Sequence, residues 1–257
     1  DKDRVVKRAN GDNTYFASDI SYHLDKYDRG YKRIINVWGA DHHGYLPRVS
    51  AAMEALGKNQ DRLEVVFIQF ANLLRNGKKV SMSTRGGEFI PLMELIEEVS
   101  SEAARFFYIN RKADQHLDFD LDLAKSQTKD NPLYYIQYAH ARICGVFETL
   151  KKEGRKLNQD LGLDNLDLLN LDKEIEIQNM LLQYPEVISR AAEHSEPHLI
   201  CYYLKDLSGL FHSYYNSERF LVDNDKLMNS RLFLLKGTKQ VISNGLEILG
   251  IDAPQSM

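Results

Sequence analysis

The sequence predicts a chain that is α/β in its first third and all-α in its second half. Two observations lead to this class. Before Gly87, short runs rich in β-branched residues alternate with stretches of helical periodicity, which is typical of a parallel sheet with crossover helices. From Asn131 onward, the apolar residues follow helical periodicity alone. We therefore expect half of an α/β domain over residues 1–87, a connector over 88–128 and a helical bundle over 129–257.

The first third contains two strand candidates, each preceded by a helix candidate. Ile20 and Leu24 lie four residues apart in the first predicted helix and share one face, and Gly30 follows its end. The strand candidates are apolar runs rich in β-branched residues. In order, the predicted elements are a helix at 15–26, a strand at 33–38, a helix at 47–56 and a strand at 63–68.

The connector is predicted to hold two short helices and one extended segment. The helices cover 92–99 and 101–109, and residues 116–123 alternate, in part, aspartate with leucine or phenylalanine. These aspartates raise the alternative of a calcium loop, but the segment lacks the glycine and the closing glutamate of an EF-hand. We interpret it as a partly exposed strand or turn that leads into the bundle.

The bundle begins with a strong helix-start signal. Asn131 offers a capping side chain, and Pro132 suits the first helical position. This helix is expected to end near Glu153, and a connection rich in Leu, Asp and Asn follows at 158–170. Further helices are predicted at 173–183, 185–194, 197–216 and 224–249.

The composition is that of a globular chain without membrane spans. Of 257 residues, 43% are hydrophobic, and no apolar run approaches the roughly 20 residues that cross a bilayer. The net charge of −4 argues against a generally basic nucleic-acid coat protein, so any RNA contact is expected to use a local patch. The charged start, Asp1 to Arg4, predicts no signal peptide and a chain cut from a longer one. Cys144 and Cys201 predict buried thiols in a reducing cytoplasm.

Two glycines, an aspartate and two histidines follow the first predicted strand. Ligands bind beyond the carboxyl ends of strands in open parallel sheets, and Gly39 and Gly44 permit close backbone approach there. Asp41 offers an acceptor to a ribose hydroxyl, and His42 and His43 offer donors to phosphate or rings to pack on a base. Two alternatives stay open: a metal site, which adjacent histidines support poorly, and a glycine-rich turn with polar caps.

Tyr15 and Asp19 lie four residues apart on the first predicted helix and share one face. A carboxylate and an aromatic ring on one face suit a cationic ligand, above all a planar guanidinium. His23 and Lys26 continue roughly the same face. The alternative is an ordinary solvated helix face.

A basic loop rich in hydroxyl groups follows the second predicted strand. Lys78 and Lys79 precede the run Val-Ser-Met-Ser-Thr-Arg-Gly-Gly at 80–87. Such a loop suits phosphate contacts during phosphoryl or nucleotidyl transfer, although it is not a P-loop. A charged surface hairpin is the alternative.

Taken in order, these motifs resemble those of arginyl-tRNA synthetases. The run from Gly39 to Tyr45, followed by Pro-Arg, is similar to the segment after the later catalytic strands of that family, and the run at 80–87 resembles the second class I signature, Lys-Met-Ser-Lys-Ser, in degenerate form. Tyr15 and Asp19 resemble its arginine-binding helix. The stretch 131–143 resembles the first helix of the anticodon-binding domain, and the ending at 249–257 resembles the C-terminus of the family.

The resemblance implies a role for each segment. Residues 1–87 would be the C-terminal half of a Rossmann-like catalytic domain, 88–128 a connector that contacts the tRNA stem, and 129–257 an α-helical anticodon-binding domain. Tyr15 and Asp19 would bind the arginine guanidinium. The other implied site residues are Gly39, Asp41, His42, His43 and Gly44 for ATP, Ser81, Met82, Ser83, Thr84 and Arg85 for the catalytic loop, and Tyr138, Arg142, Tyr215 and Met257 for the anticodon.

The implied reaction joins L-arginine to tRNA(Arg) and converts ATP, bound as its Mg²⁺ complex, to AMP and pyrophosphate. The resemblance implies a cytoplasmic monomer with no tightly bound cofactor, no metal site and no membrane partner. Two departures matter. Ser81 and Thr84 stand where the family signature has lysines, and the first class I signature, His-Ile-Gly-His, is absent from these residues. We therefore predict that this fragment alone is inactive.

Other functions remain open on the sequence. One is a non-catalytic helical module that binds tRNA or another RNA, and the other is a different nucleotidyl-transferring α/β enzyme. From periodicity alone, Tyr134, Tyr138 and Ile143 also fit the core and boundary of a helical bundle.

Overall fold

The computed structural model describes residues 3–80 and 90–257. The chain divides into two compact units. The first comprises the residues up to Phe70 together with Ala113–His116, and the second comprises Ala71–Lys112 and Leu117–Met257. The domain bounds predicted at residues 87 and 128 do not coincide with this division, and the three-domain organisation stays a prediction.

The first unit is a two-stranded parallel sheet with its helices. β1 pairs with β2 in parallel, from Ile34 opposite Leu63 to Gly39 opposite Ile68. Helix α2 makes the crossover that parallel strands require, so the predicted order of helix, strand, helix and strand is confirmed. The elements are α1 (Tyr15–Asp28), β1 (Ile34–Gly39), a 3-10 helix (Ala40–Tyr45), α2 (Leu46–Ala55), a 3-10 turn (Gln60–Arg62) and β2 (Leu63–Ile68).

The second unit opens with a hairpin. A charged surface hairpin was the alternative for the segment that begins at Lys78, but the strand at 71–75 and the turn before Lys78 were not predicted. β3 (Ala71–Arg75) and β4 (Lys78–Lys79) pair antiparallel. Asn76 and Gly77 connect them with φ values of 52° and 69°, the left-handed pair that an Asn-Gly hairpin turn requires. The dipeptide was a usable signal, but the second strand has only two residues and carries no periodicity of its own.

The segment rich in aspartate forms a strand and then a helix start. β5 (Leu117–Asp120) pairs with β3 in parallel, and α5 (Leu121–Lys125) follows at once. The Asp120 side chain caps α5 by accepting hydrogen bonds from two backbone N–H groups of its first turn. Asp118 accepts from the Asn72 side chain at 2.8 Å. These aspartates therefore serve the sheet and the cap, which agrees with the predicted strand or turn.

The remaining elements of the second unit are helices. Two of them match the bounds predicted in the connector, at 92–99 and 101–109, and a short helix lies in the predicted connection at 158–170. The helices are α3 (Leu92–Val99), α4 (Ser101–Ile109), α6 (Pro132–Lys152), α7 (Gln159–Leu163), α8 (Asp172–His194), α9 (His198–Ser217) and α10 (Asp225–Ile248), with a 3-10 turn at Leu166–Leu168.

Helix α6 starts at the cap that the sequence predicted. The Asn131 side-chain oxygen accepts from the backbone N–H groups of Leu133 and Tyr134. Its amide nitrogen donates to the carbonyls of Ala124 and Ser126, at 3.2 and 2.8 Å. Because Asn131 is buried and these four bonds use its donors and acceptor together, it fixes both the start of α6 and the loop before it.

The predicted break before Pro185 is wrong. The helices expected at 173–183 and 185–194 form the single helix α8, with Pro185 inside it. An internal proline removes one backbone hydrogen bond and costs about 3 kcal/mol. Leu181 on one side of the proline and Ile188 on the other pack against the same core. That continuous apolar contact offsets the cost and keeps the helix whole.

A buried polar network joins α8, α9 and α10. The fully buried Glu174 accepts from the Tyr214 hydroxyl at 2.6 Å and from Arg231 Nε at 2.8 Å. Burial, and then the hydrogen bond to Glu174, raise the pKa of Tyr214. Removing one partner of such a network costs several kcal/mol, because a charge is left buried without its counterpart. The network therefore fixes how the three helices pair.

Both cysteines are free and buried, as the sequence predicted. Burial raises the pKa of Cys201 to about 12. Since the thiolate is the reactive form, Cys201 is inert at neutral pH.

Among residues 3–80 and 90–257, none of the helices has the length and hydropathy that a bilayer span needs.

Candidate functional site

The first candidate site lies at the carboxyl edge of the parallel sheet. Because β1 and β2 run in the same direction, their ends at Gly39 and Ile68 meet at one edge. The 3-10 helix begins directly after Gly39, and it takes the place of the glycine-rich turn considered above. A Cβ atom at Gly39 would lie 2.6 Å from the Asp41 carboxylate. The glycine therefore lets this carboxylate fold back over the strand end.

Asp41, His42 and His43 have different surroundings. The side chains of Asp41 and His42 are 59% and 62% exposed, with 3.7 Å between Oδ2 and Nε2. His43 stacks on Phe67 of β2, with ring centroids 3.7 Å apart and an angle of 12° between planes. At Gly44, a Cβ atom would meet none of the described residues beyond its chain neighbours within 4 Å. The edge thus offers exposed polar groups beside one flat, fixed ring.

The predicted guanidinium pair lies on α1. Tyr15 is 91% exposed, whereas the Asp19 side chain is 29% exposed. Tyr45 was not predicted as a site residue from the sequence. Its hydroxyl donates to the Asp19 carboxylate. Burial, followed by this contact, raises the pKa of Tyr45 to about 12, so the hydroxyl remains a donor. The Tyr45 ring packs beside Trp38 of β1, with ring centroids 5.8 Å apart, and this contact helps to hold Tyr45 in place.

The predicted catalytic loop cannot be placed on this site. Ser81, Met82, Ser83, Thr84 and Arg85 lie outside the described residues, so their role stays a prediction. Within the part of the chain that the structure describes, no three His, Cys, Asp or Glu side chains are grouped as metal ligands.

The second candidate site is a column of planar side chains on α6 and α9. Tyr134 and Tyr138 stack with centroids 5.7 Å apart and 20° between planes. The Arg142 guanidinium carbon lies 4.3 Å from the Tyr138 ring centre and 4.7 Å from that of Tyr215. The guanidinium is therefore held between two aromatic faces by cation–π contacts.

His212 on α9 locks this column, and the sequence analysis did not identify it. Its Nε2 donates to the Tyr135 carbonyl at 3.0 Å, which leaves Nδ1 to accept from Arg142 Nη1 at 3.3 Å. Burial is the main cause that lowers the pKa of His212, and the Arg142 charge lowers it further. A neutral ring is what the acceptor role requires. Its distance in sequence from α6, about 70 positions, hid the contact.

Exposure separates the column from the core of the bundle. Ile143 is fully buried, which fits the core alternative for that residue. Tyr134, Tyr138, Arg142 and Tyr215 are only partly buried, so their planar faces lie at the boundary with solvent. Stacked rings and a guanidinium in that position can receive unstacked bases of a single-stranded nucleic acid.

Met257 ends a tail that is anchored to α6. The Gln137 side chain donates to the Asp252 carbonyl at 3.0 Å, and His140 Nδ1 donates to the Pro254 carbonyl at 2.8 Å. Met257 itself is 53% exposed. The anchors place the tail on the first helix of the bundle and leave its last side chain available.

Comparison with known proteins finds one family match and several relatives. Residues 136–257, which include most of the column, match the DALR anticodon binding domain family. The arginine–tRNA ligases of Legionella pneumophila (strain Corby) and Thioalkalivibrio sulfidiphilus are 54% and 56% identical over all 257 residues. In both cases the chain spans only 44% of the length of the relative.

Solved structures give the same result. A protein from Campylobacter jejuni that is proposed to be an arginyl-tRNA synthetase matches with a TM-score of 0.87 and 37% identity, over 100% of this chain and 55% of that one. The arginyl-tRNA synthetase of Thermus thermophilus matches with a TM-score of 0.77 and 24% identity, over 99% of this chain and 51% of that one, and supports the fold alone. The predicted fold class, part of a Rossmann-like domain followed by a helical anticodon-binding bundle, is confirmed.

Proposed function

The chain is related along its whole length to arginyl-tRNA synthetases, and from this premise we propose that it forms part of an arginine–tRNA ligase. The ligase would activate arginine with ATP and transfer it to tRNA(Arg), with AMP and pyrophosphate as the other products. One observation carries the proposal: Arg142 is held between Tyr138 and Tyr215 within the residues that match the anticodon-binding family.

The arginine side chain is assigned to Tyr15 and Asp19. A guanidinium fills both oxygens of a carboxylate with parallel N–H bonds, whereas the ammonium of lysine is a single point charge. Asp19 is reachable from solvent, and the Tyr45 hydroxyl steadies it. A pocket of this kind rejects a ligand that leaves its polar groups unpaired, by factors on the order of 10⁴.

ATP is assigned to the carboxyl edge of the sheet. Gly39 and Gly44 would let the nucleotide approach the backbone closely, and Asp41 would accept a hydrogen bond from a ribose hydroxyl. His42 and His43 would donate to phosphate or pack on the base. Magnesium would enter with ATP as part of the substrate. The family resemblance assigns residues 81–85, which lie outside the described residues, to the triphosphate.

The proposed reaction is the one that the relationship to arginyl-tRNA synthetases implies. The arginine carboxylate attacks the α-phosphate of ATP, the bond to pyrophosphate breaks, and arginyl-adenylate forms. A terminal hydroxyl of tRNA then attacks the arginyl carbonyl and releases AMP. An enzyme of this type mainly positions the reactants and offsets charge on the transferring phosphate.

The tRNA anticodon loop is assigned to the column. The Tyr138 and Tyr215 rings would stack on unpaired bases, and the donors of Arg142 that are used by neither His212 nor Asn216 would meet base edges. Met257, at the end of the anchored tail, would add an apolar contact to the same loop. With a chain net charge of −4, selectivity rests on this local patch.

The test is ATP–pyrophosphate exchange by the full-length protein with arginine and tRNA present. Exchange that depends on arginine supports the ligase. We also propose a cytoplasmic monomer, and sedimentation of the active protein checks the oligomeric state. The 257 residues alone are expected to give no aminoacylation. Full-length protein that binds tRNA without any exchange would instead indicate a non-catalytic RNA-binding module.

A further inference from the structure

We propose that His23 is a positioning residue that holds the Asp19 carboxylate in the orientation needed to bind a guanidinium. The proposal deepens the function above and rests on Asp19 being an arginine ligand. His23 lies on α1, one turn beyond Asp19, and is only 2% exposed. It is joined to Asn36 on β1 and, through Asn36, to Lys26.

Lys26, Asn36 and His23 form a series of hydrogen bonds, and the direction of each bond follows from the cationic end of the series, Lys26. An ammonium can only donate, and Lys26 Nζ lies 2.7 Å from Asn36 Oδ1. The amide nitrogen of Asn36 therefore faces His23, at 2.8 Å from Nε2. Because the amide nitrogen also only donates, Nε2 accepts and carries no hydrogen. The hydrogen of the neutral ring is then on Nδ1.

The Nδ1–H group of His23 is directed at Asp19. Nδ1 lies 2.8 Å from the Asp19 backbone carbonyl oxygen and 3.5 Å from Oδ1 of the carboxylate. The Tyr45 hydroxyl donates to the same carboxylate. The Nδ1 hydrogen is donated to the carbonyl oxygen, and the ring edge that it holds beside Oδ1 restricts the rotation of the carboxylate together with the Tyr45 hydroxyl. The solvent-facing lone pairs of the carboxylate remain for a ligand. A binding group held in this way is pre-organised by its supporting residues.

The packing of α1 against β1 does not by itself require these polar groups. Asn36 and Ile34 are both buried on the same face of β1, at 4% and 6% exposure. Apolar side chains of similar volume fill such a place without the desolvation cost of a buried amide and imidazole. The hydrogen-bonded series instead fixes the hydrogen of the His23 ring on Nδ1, the nitrogen that faces Asp19.

The test compares two His23 variants of the full-length enzyme by ATP–pyrophosphate exchange with tRNA present. His23→Leu removes the donor, and we expect the KM for arginine to rise about tenfold or more while the KM for ATP changes less than about twofold. His23→Asn is the matched control, since its amide N–H takes the place of Nδ1–H. We expect its arginine KM to stay within about threefold of wild type.

Lys26→Met tests the direction of the hydrogen-bond chain with His23 in place. Without the ammonium, the Asn36 amide can turn, and the ring hydrogen is then shared with Nε2. Nitrogen-15 spectra of the protein with labelled histidine should give an Nδ1–H signal for His23 in the wild type and a shift toward Nε2–H in this variant. The arginine KM should rise to a value between those of the wild type and His23→Leu.

Asp19→Ala separates this proposal from the function on which it rests. An unchanged arginine KM in Asp19→Ala removes the substrate assignment, and the positioning role falls with it. If Asp19→Ala raises the KM and His23→Leu does not, only the positioning role is overturned. That role is also overturned if His23→Leu raises the KM values for arginine and ATP alike, or if the wild-type ring carries its hydrogen on Nε2.

Discussion

Replacement of Tyr138 by alanine should weaken tRNA binding without unfolding the bundle. The ring lies 5.7 Å from Tyr134, 5.6 Å from His212 and 4.3 Å from the Arg142 guanidinium. It therefore closes one side of the guanidinium site and is only partly buried at the boundary with solvent. Tyr138→Ala removes that ring and leaves Arg142 with one aromatic neighbour, Tyr215.

The magnitude follows from the stacking of one base. Stacking on an aromatic side chain contributes roughly 1–3 kcal/mol per base. A free-energy difference of about 1.4 kcal/mol is tenfold in Kd, so the Kd for tRNA(Arg) should rise by about 5- to 150-fold. The Tyr138→Phe variant keeps the ring and should bind within about twofold of wild type, because stacking does not use the hydroxyl.

The assay is a binding titration of the full-length protein with tRNA(Arg) at one fixed salt concentration. Tyr202→Ala on α9 is the matched control, since it removes a ring that is 40% exposed and lies beside His198 rather than in the column. Circular dichroism checks that each variant keeps its helices. A Tyr138→Ala protein that is folded and binds tRNA as tightly as the Tyr202→Ala protein would refute the reasoning.

Three further predictions concern the substrate pocket, the helix packing and the response to acid. Asp19→Ala in the full-length enzyme should raise the arginine KM at least about tenfold and leave the KM for ATP nearly unchanged, because only the guanidinium contact is lost; exchange kinetics measure both values. Gly162→Ala should destabilise the chain by about 1–3 kcal/mol, because a Cβ atom there would lie 2.6 Å from the Asn229 carbonyl oxygen. Gly209→Ala is the control, since a Cβ atom at Gly209 would meet none of the described side chains within 4 Å. This control should leave the free energy of unfolding in urea unchanged or raise it. Finally, the lowered pKa of His212 means that the unfolded state takes up a proton first. The contribution of His212 to the free energy of unfolding is complete above the ordinary pKa of histidine and is lost as pH falls below it. On acidification, the free energy of unfolding should therefore fall less in His212→Gln than in the wild type.

Local signals in the sequence were enough for most elements. The cap at Asn131 predicted where α6 starts, and Gly39 predicted the end of β1 to within one residue, because both act through neighbouring backbone. Pro185 was misread for the opposite reason. Its helix survives through contacts with a distant core, and a proline rule applied to one segment does not include them.

Spacing along the chain predicted partners within a site only where they share a helix, and Tyr215 of α9 was named through the family resemblance. Tyr138 and Arg142 lie four apart and were found together, whereas His212, which locks them, comes from another helix. In the same way Asp19 was found and its partner Tyr45 was not. Such pairs depend on how elements pack, and spacing along the chain carries no information about them.

The most direct measurement of the central claim is a double-mutant cycle between the column and the tRNA. Wild-type and Tyr138→Ala full-length proteins are assayed for arginylation of tRNA(Arg) and of the same tRNA with substituted anticodon bases. If the column contacts the anticodon loop, the two losses in kcat/KM should not add, because each change removes the same contact. Strictly additive losses, or no arginylation of any tRNA by the wild-type protein, would contradict the account.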